Sequence, residues 1–151
     1  MLFRSQDALA ADPTRAQRVF DEVLRLYPPA WVVTRRTTSD ITVDGIDIPA
    51  DSLVIMSPWL VHRHPSMWPD PLRFDPDRFA GGVPQEGYLP FGAGPRLCIG
   101  RDMARLEGAV VLGELASRWQ VTPLHRQAVG VEASVTLRPR GGLPLRVTPR
   151  R

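Results

Sequence analysis

The sequence predicts an α+β fold, and three observations carry that expectation. Apolar residues recur at helical spacing just before a double proline, Pro28-Pro29, and again just after Cys98, the chain's one cysteine. Short alternating apolar runs separated by turn residues fill 41–56 and the tail from 131 to 147, the pattern of β hairpins. Between these regions, residues 64–90 contain six prolines and no period. An aperiodic stretch of that length is either functional or disordered. Trp68, Leu72, Phe74, Phe79 and Tyr88 argue for an ordered coil, because disordered segments are poor in aromatic residues.

The elements follow in order. Asp12 is placed to cap the first helix, with Pro13 at its first position. Ala16, Val19, Phe20, Val23, Leu24 and Tyr27 then form one apolar face, and Pro28 ends the helix. Glu22 and Arg25, three apart, are neighbours on the opposite face. Pattern alone makes them an exposed pair worth roughly a few tenths of a kcal/mol. A strand follows around Val32 to Thr34, reaching Arg35 and Arg36. Ile41, Val43, Ile46 and Ile48, broken by Asp44-Gly45, predict a hairpin with a primed turn. Leu53 to Met56 is an apolar run suited to a buried strand, and Ser57-Pro58 can start a short helix through Trp59, Leu60 and Val61. His62 and His64 form an H-x-H pair. No third ligand has suitable spacing, so loop histidines with local hydrogen bonds are the better reading than a metal site.

The segment Phe91-Gly92-Ala93-Gly94-Pro95-Arg96-Leu97-Cys98-Ile99-Gly100 carries the chemistry. Cys98 sits after a glycine-rich turn and before a helical pattern, where the positive end of a helix dipole favours a thiolate. Gly92 and Gly94 give access to left-handed backbone, so the loop can fold around the sulfur and point N–H groups at it. Gly100 leaves room for something flat over the start of the helix, and Arg96 can reach a carboxylate in a charge-assisted pair. Thiolate, flat group and carboxylate together describe haem iron held by cysteine. Beyond it, Ile99, Met103, Leu106, Val110, Val111 and Leu115 predict a buried helix ending before Pro123, with Arg101 and Arg105 on its polar side. The tail, Val131 to Val147, reads as two strands joined by Pro139-Arg140-Gly141-Gly142.

Composition narrows the partners. At 151 residues with 43% hydrophobic content the chain can form one domain with a real core. All 19 basic residues are arginine, but they are scattered, and the net charge of +3 is too small to argue for DNA or membrane binding. One cysteine excludes an intrachain disulfide. No membrane-length apolar run and no secretory pattern is present, so a cytoplasmic location is expected. There is no internal repeat, Walker loop or nucleophile elbow.

Phe91 to Gly100 resembles the F-x-x-G-x-R-x-C-x-G haem-ligand signature of the cytochrome P-450 haem-thiolate monooxygenases. Two further segments match in the family's order: Glu22-Val23-Leu24-Arg25 is similar to its E-x-x-R, and Phe74-Asp75-Pro76-Asp77-Arg78-Phe79 to its F-x-P-E-R-F, with Asp77 for the usual glutamate. The resemblance implies the C-terminal part of a mainly helical fold: an E-x-x-R helix, β hairpins, an ordered meander, the cysteine loop and the helix after it. It implies haem b as cofactor, Cys98 as axial iron ligand, and Phe91, Gly92 and Gly100 around the haem. Arg96 and Arg35 would pair with propionates, with Arg36 the alternative to Arg35. Glu22, Arg25 and Arg78 would form a covered network. The activity implied is insertion of one oxygen atom from O₂ into a small organic substrate. Electrons would come from a ferredoxin or flavoprotein reductase docking near Arg101 and Arg105, and the tip of the C-terminal hairpin would reach the substrate pocket.

The resemblance spans about residue 12 onward but only the last third or so of the family's domain. No A/G-G-x-D/E-T segment of the distal, oxygen-handling helix is present. Residues 1–151 are therefore expected to be a partial domain, with Val19, Phe20 and Val110 exposed and no turnover by the chain alone. The alternative reading is a non-catalytic relic or weak haem-binding module.

Overall fold

A computed structural model describes residues 2–84, 86–124 and 129–150. Helix α1 (Leu2–Ala11) precedes everything the periodicity predicted. Its alanine- and leucine-rich sequence is a good helix former without a wide apolar face. Asp12 then acts as foreseen at a helix start: its carboxylate accepts from the Thr14 N–H at 3.1 Å and from the Thr14 hydroxyl at 2.5 Å. What it caps is a single 3-10 turn, Pro13–Arg15, that leads into α2 (Ala16–Leu26).

Helix α2 is the axis of the molecule. Its apolar side is less uniform than the spacing predicts, because Tyr27 is half exposed while Ala16, Val19 and Leu24 are buried. Its polar side is buried too, with Asp21, Glu22 and Arg25 all inaccessible. Two apolar clusters flank it. Leu9, Ala16, Val19 and Ala116 join α1, α2 and the later helix α4 (Arg101–Arg118), with Ala109 and Leu112 packed against them. Leu24, Trp68, Phe79 and Tyr88 join α2 to the proline-rich coil, with Phe20 and Phe91 alongside. Against expectation Val19 is buried and Phe20 partly buried, because α1, α4 and the coil pack around them; Val110 is exposed as expected. Helices α2 and α4 meet at Gly108, where a Cβ would overlap the Phe20 ring.

The strands form four antiparallel pairs. β1 (Val33–Arg36) pairs with β4 (Leu53–Met56), from Val33 opposite Met56 to Arg36 opposite Leu53. Between them β2 (Ile41–Val43) and β3 (Ile46–Ile48) close through Asp44 and Gly45, both at positive φ (49° and 78°), the primed turn that the sequence predicts. β4 is a strand but not a buried one: Leu53 and Ile55 are largely exposed, because nothing in this two-stranded sheet covers its faces. The short helix α3 (Pro58–Val61) follows, and the Ser57 hydroxyl accepts from the Leu60 N–H at its start.

The C-terminal region departs further from expectation. α4 stops at Arg118, and Trp119–Pro123 forms β5, which pairs with β8 (Leu145–Pro149). The tail hairpin is instead β6 (Val131–Ala133) with β7 (Leu137–Pro139), closed through residues 134–136. The turn containing Gly141 and Gly142, both at positive φ, sends the chain away to β5, where it was expected to close a hairpin. Trp31 Nε1 donates to the Ser134 carbonyl at 2.8 Å, and the Leu137 N–H to the Pro29 carbonyl at 2.9 Å, so this hairpin is pinned beside the end of α2. The apolar row on α4 is also not buried. Ile99, Met103, Leu106, Val110 and Val111 are exposed, while Gly108, Ala109, Leu112 and Ala116 make the helix contact.

Candidate functional site at the cysteine loop

The coil that leads to Cys98 is held by one ion pair. Arg25 donates from Nε to Glu22 Oε2 at 2.6 Å and from Nη2 to Oε1 at 2.9 Å, with both side chains fully inaccessible. The remaining guanidinium hydrogens go to carbonyls of the coil: Nη1 to His62 and Pro71, both at 2.7 Å, and Nη2 to Arg73 at 3.1 Å. The group also lies 5.1 Å from the Trp68 ring centroid. Glu22 in turn accepts the Asp75 N–H at 2.8 Å. A charged pair can be buried only when its donors and acceptors are matched in this way. The exposed pair that spacing alone suggests is therefore not what forms.

Arg78 joins less tightly. Its head donates to the Pro69 and Asp70 carbonyls, and its Nε stands 3.6 Å from Glu22 Oε1 without a hydrogen bond. Asp77, beside it, accepts from Arg15 at 2.8 Å and Arg18 at 3.2 Å.

His62 completes the floor. Its Nδ1 lies 3.0 Å from the Arg25 carbonyl, and its Nε2 accepts the Leu89 N–H at 2.7 Å. The carbonyl requires a proton on Nδ1 and the amide requires none on Nε2, so the ring is the neutral Nδ1–H tautomer. Burial is the main cause that lowers its pKa to about 4; the nearby Arg25 and Arg63 charges add to this and the Arg25 carbonyl opposes it. The ring stacks on Tyr88 at 5.5 Å. Neither ring nitrogen keeps a free lone pair for a metal. His64 bonds the Ser66 hydroxyl.

A third polar contact was not legible in the sequence. Asp21, buried beside Glu22, receives Arg105 Nε at 3.0 Å on Oδ1 and Nη2 at 2.8 Å on Oδ2, while the Tyr88 hydroxyl donates to its backbone carbonyl at 3.0 Å. The Arg105 guanidinium is thus bonded to a buried carboxylate, with 27% of the side chain exposed. Arg101 is the freer of the two, paired at 2.8 Å with exposed Asp102.

The loop itself is built from turns. Gly92 and Gly94 sit at φ +76° and +64°, conformations that favour glycine. Gly94–Arg96 is a 3-10 turn, the Cys98 N–H donates to the Phe91 carbonyl at 3.0 Å, and the Arg101 N–H closes onto the Cys98 carbonyl at 3.3 Å as α4 begins. The amides of Gly92, Leu97, Cys98 and Arg101 close turns, and no hydrogen bond to the sulfur forms among the described residues. The thiol is exposed at the N-terminus of an 18-residue helix. A Cβ on Gly100 would stand 3.9 Å from Sγ, in the space beside the sulfur. Arg96 is exposed and has no hydrogen-bond or ion-pair partner among the described residues. Of the two strand arginines, Arg36 is committed to Asp51 at 3.0 Å, whereas among the described residues Arg35 reaches only the neighbouring Thr34 carbonyl.

The sequence pattern of cytochrome P450 matches residues 14–142. The chain belongs to the cytochrome P450 family. It is 45% identical over 112 residues to the cyclooctatin synthase of Streptomyces melanosporofaciens, covering 72% of this chain and 24% of that protein. It is 40% identical over 109 residues to the pentalenene oxygenase of Streptomyces avermitilis, covering 70% and 24%. A 6-coordinated cytochrome P450 from Thermus thermophilus superposes with a TM-score of 0.84 at 41% identity, over 97% of this chain and 40% of that one. The chain thus spans about a quarter of the length of these curated relatives, and its helices and small sheets are part of the P450 fold. Haem b is the cofactor of this family. The residues present fit that group: a soft sulfur donor without a partner, open space beside it, and two arginines without carboxylates.

Proposed function

We propose that this chain is the haem-binding portion of a P450 monooxygenase, which inserts one oxygen atom from O₂ into a small organic substrate. The observation that carries the reading is the exposed Cys98 thiol at the start of α4, on a loop reached from the buried Glu22–Arg25 pair. Cys98 thiolate holds the iron. Arg96 and Arg35 bind the two propionates through charge-assisted hydrogen bonds, a role open to them because neither is engaged by a carboxylate. Phe91, Gly92 and Gly100 shape the space beside the sulfur, and Gly100 keeps it clear. Haem with a thiolate ligand supplies the chemistry, since the sulfur pushes electron density that favours O–O cleavage.

Glu22, Arg25 and Arg78 act at a distance, holding the coil that delivers the loop. Electrons come from a separate ferredoxin or flavoprotein reductase docking near Arg101 and Arg105, of which Arg101 has the more exposed side chain. Substrate contacts on this chain fall to the strand at Val32 to Thr34 and the β6–β7 hairpin pinned beside it by Trp31.

The ferrous carbonyl spectrum of the haem-loaded chain tests the reading. A strongly red-shifted Soret band, lost in Cys98→Ser, is the expected result. The same red-shifted band in Cys98→Ser would overturn the assignment, and a wild-type spectrum without it would favour a non-catalytic relic.

A further inference from the structure

Tyr88 and Arg105 flank the cysteine loop, and both residues arrive at one carboxylate. Tyr88 Oη lies 3.0 Å from the Asp21 carbonyl and 3.2 Å from Oδ1, and Arg105 grips Oδ1 and Oδ2 at 3.0 and 2.8 Å. Asp21 is 2% exposed and lies on α2, whose next residue is Glu22. Between these anchors Leu89 is bonded to His62, Pro90 is buried and Phe91 packs against the apolar cluster of the coil, but the part that carries the sulfur has little of its own to fix it. Residues 93–99 are all exposed, and their backbone bonds are confined to the turns described above. Its placement is therefore imposed through its two arms.

We infer that Asp21 is a positioning residue for Cys98, stapling the upstream and downstream arms of the cysteine loop to α2. Burial raises the Tyr88 phenol, which keeps it a donor, and the hydrogen bonds to Asp21 hold the Arg105 guanidinium charged. The staple is distinct from the Glu22–Arg25 pair, which touches the upstream arm only through His62, bonded to the Arg25 carbonyl and to the Leu89 N–H. That pair fixes the coil from 62 to 75, whereas Asp21 fixes the residues on either side of the sulfur. The inference rests on the reading of Cys98 as the haem ligand only for its consequence, not for its geometry.

Amide hydrogen exchange in the haem-free full chain tests the geometry. Asp21→Asn is expected to speed exchange of the Cys98 amide, bonded to the Phe91 carbonyl, by roughly tenfold or more, as loss of a charged hydrogen-bond partner implies. The β1–β4 amides should stay unchanged. Tyr88→Phe should produce a smaller change of the same pattern. The double variant Asp21→Asn/Arg105→Gln leaves no unpaired buried charge, so it serves where Asp21→Asn alone does not fold; it should keep the fast Cys98 exchange. Wild-type exchange in Asp21→Asn, or its recovery in the double variant, would overturn the staple and leave Asp21 a charge-balancing group.

With haem added, Asp21→Asn and the double variant should hold it more weakly, by about tenfold or more, in step with the faster exchange of the Cys98 amide. The ferrous carbonyl band should shift toward the form without thiolate. If wild type itself lacks the thiolate band, the ligand reading fails while the exchange data still decide the staple.

Discussion

The two ends of the cysteine segment are finished to different degrees. Around Glu22 and Arg25 nearly every buried polar atom has its partner, and Arg78 Nε is the one buried side-chain atom among the described residues left without a hydrogen bond. Around Cys98 the opposite holds: the thiol and Arg96 face outward unpaired, and Ile99, Met103, Leu106 and Val110 form an exposed apolar row. Apolar exposure on this scale marks a surface that other matter covers. The chain builds its scaffold from its own side chains and leaves the Cys98 side open. Breaking the scaffold should therefore cost fold stability, whereas breaking the open side should cost binding.

The largest effect is expected at Glu22. Glu22→Ala strands the Arg25 guanidinium in a site with no access to water, and losing one partner of a buried ion pair costs roughly 3–5 kcal/mol. That is a large share of the stability of a domain this size. Urea denaturation should show a much lower midpoint, with loss of the coil's hydrogen-exchange protection. A midpoint within about 1 kcal/mol of wild type would instead assign the pair the energetics of a surface contact.

Next is the pH dependence contributed by His62. Its pKa is about 4 in the folded chain against an ordinary value of 6.5, so the folded state binds fewer protons between those values. Its stabilising contribution is complete above pH 6.5 and is lost as pH falls through that window to 4. The shift is worth about 3 kcal/mol. Wild type should lose stability over this range faster than His62→Gln, which has no titrating group at the position. Parallel curves for the two proteins would rule out a buried neutral imidazole.

How much of this was legible depended on the distance over which each signal acts. The primed turn at Asp44-Gly45, the Ser57 cap and the loop glycines are local, and two or three residues specify them. The burial of Glu22 and Arg25 is not local: helical spacing alone makes them an exposed pair, and only the coil, whose carbonyls at 62, 71 and 73 take the guanidinium hydrogens, reverses that. Asp21 and Arg105 are 84 positions apart, and nothing in their spacing links them. The pairing of β5 with β8 was hidden for the same reason, since Trp119–Pro123 has no strand neighbour nearby in sequence. The apolar row of α4 has the periodicity of a core face, but periodicity reports which residues avoid water, not what covers them.

The smallest effects, and those confined to the open side, belong to the arginines. A charge-assisted hydrogen bond shielded by a bound ligand contributes about 1.5–3 kcal/mol, so Arg96→Leu and Arg35→Leu should each weaken haem retention by tens of fold. The folded scaffold should be untouched, because neither side chain anchors a distant part of the chain. Arg36→Leu supplies the contrast. Arg36 and Arg35 are adjacent on β1 and equally exposed to view in the sequence, but Arg36 is occupied by Asp51, through both its carboxylate and its carbonyl. Its loss should leave haem transfer to apomyoglobin at the wild-type rate. Faster transfer from Arg36→Leu than from Arg35→Leu would reverse the assignment between neighbours, and equal rates in wild type and all three variants would remove arginine from the propionate site altogether.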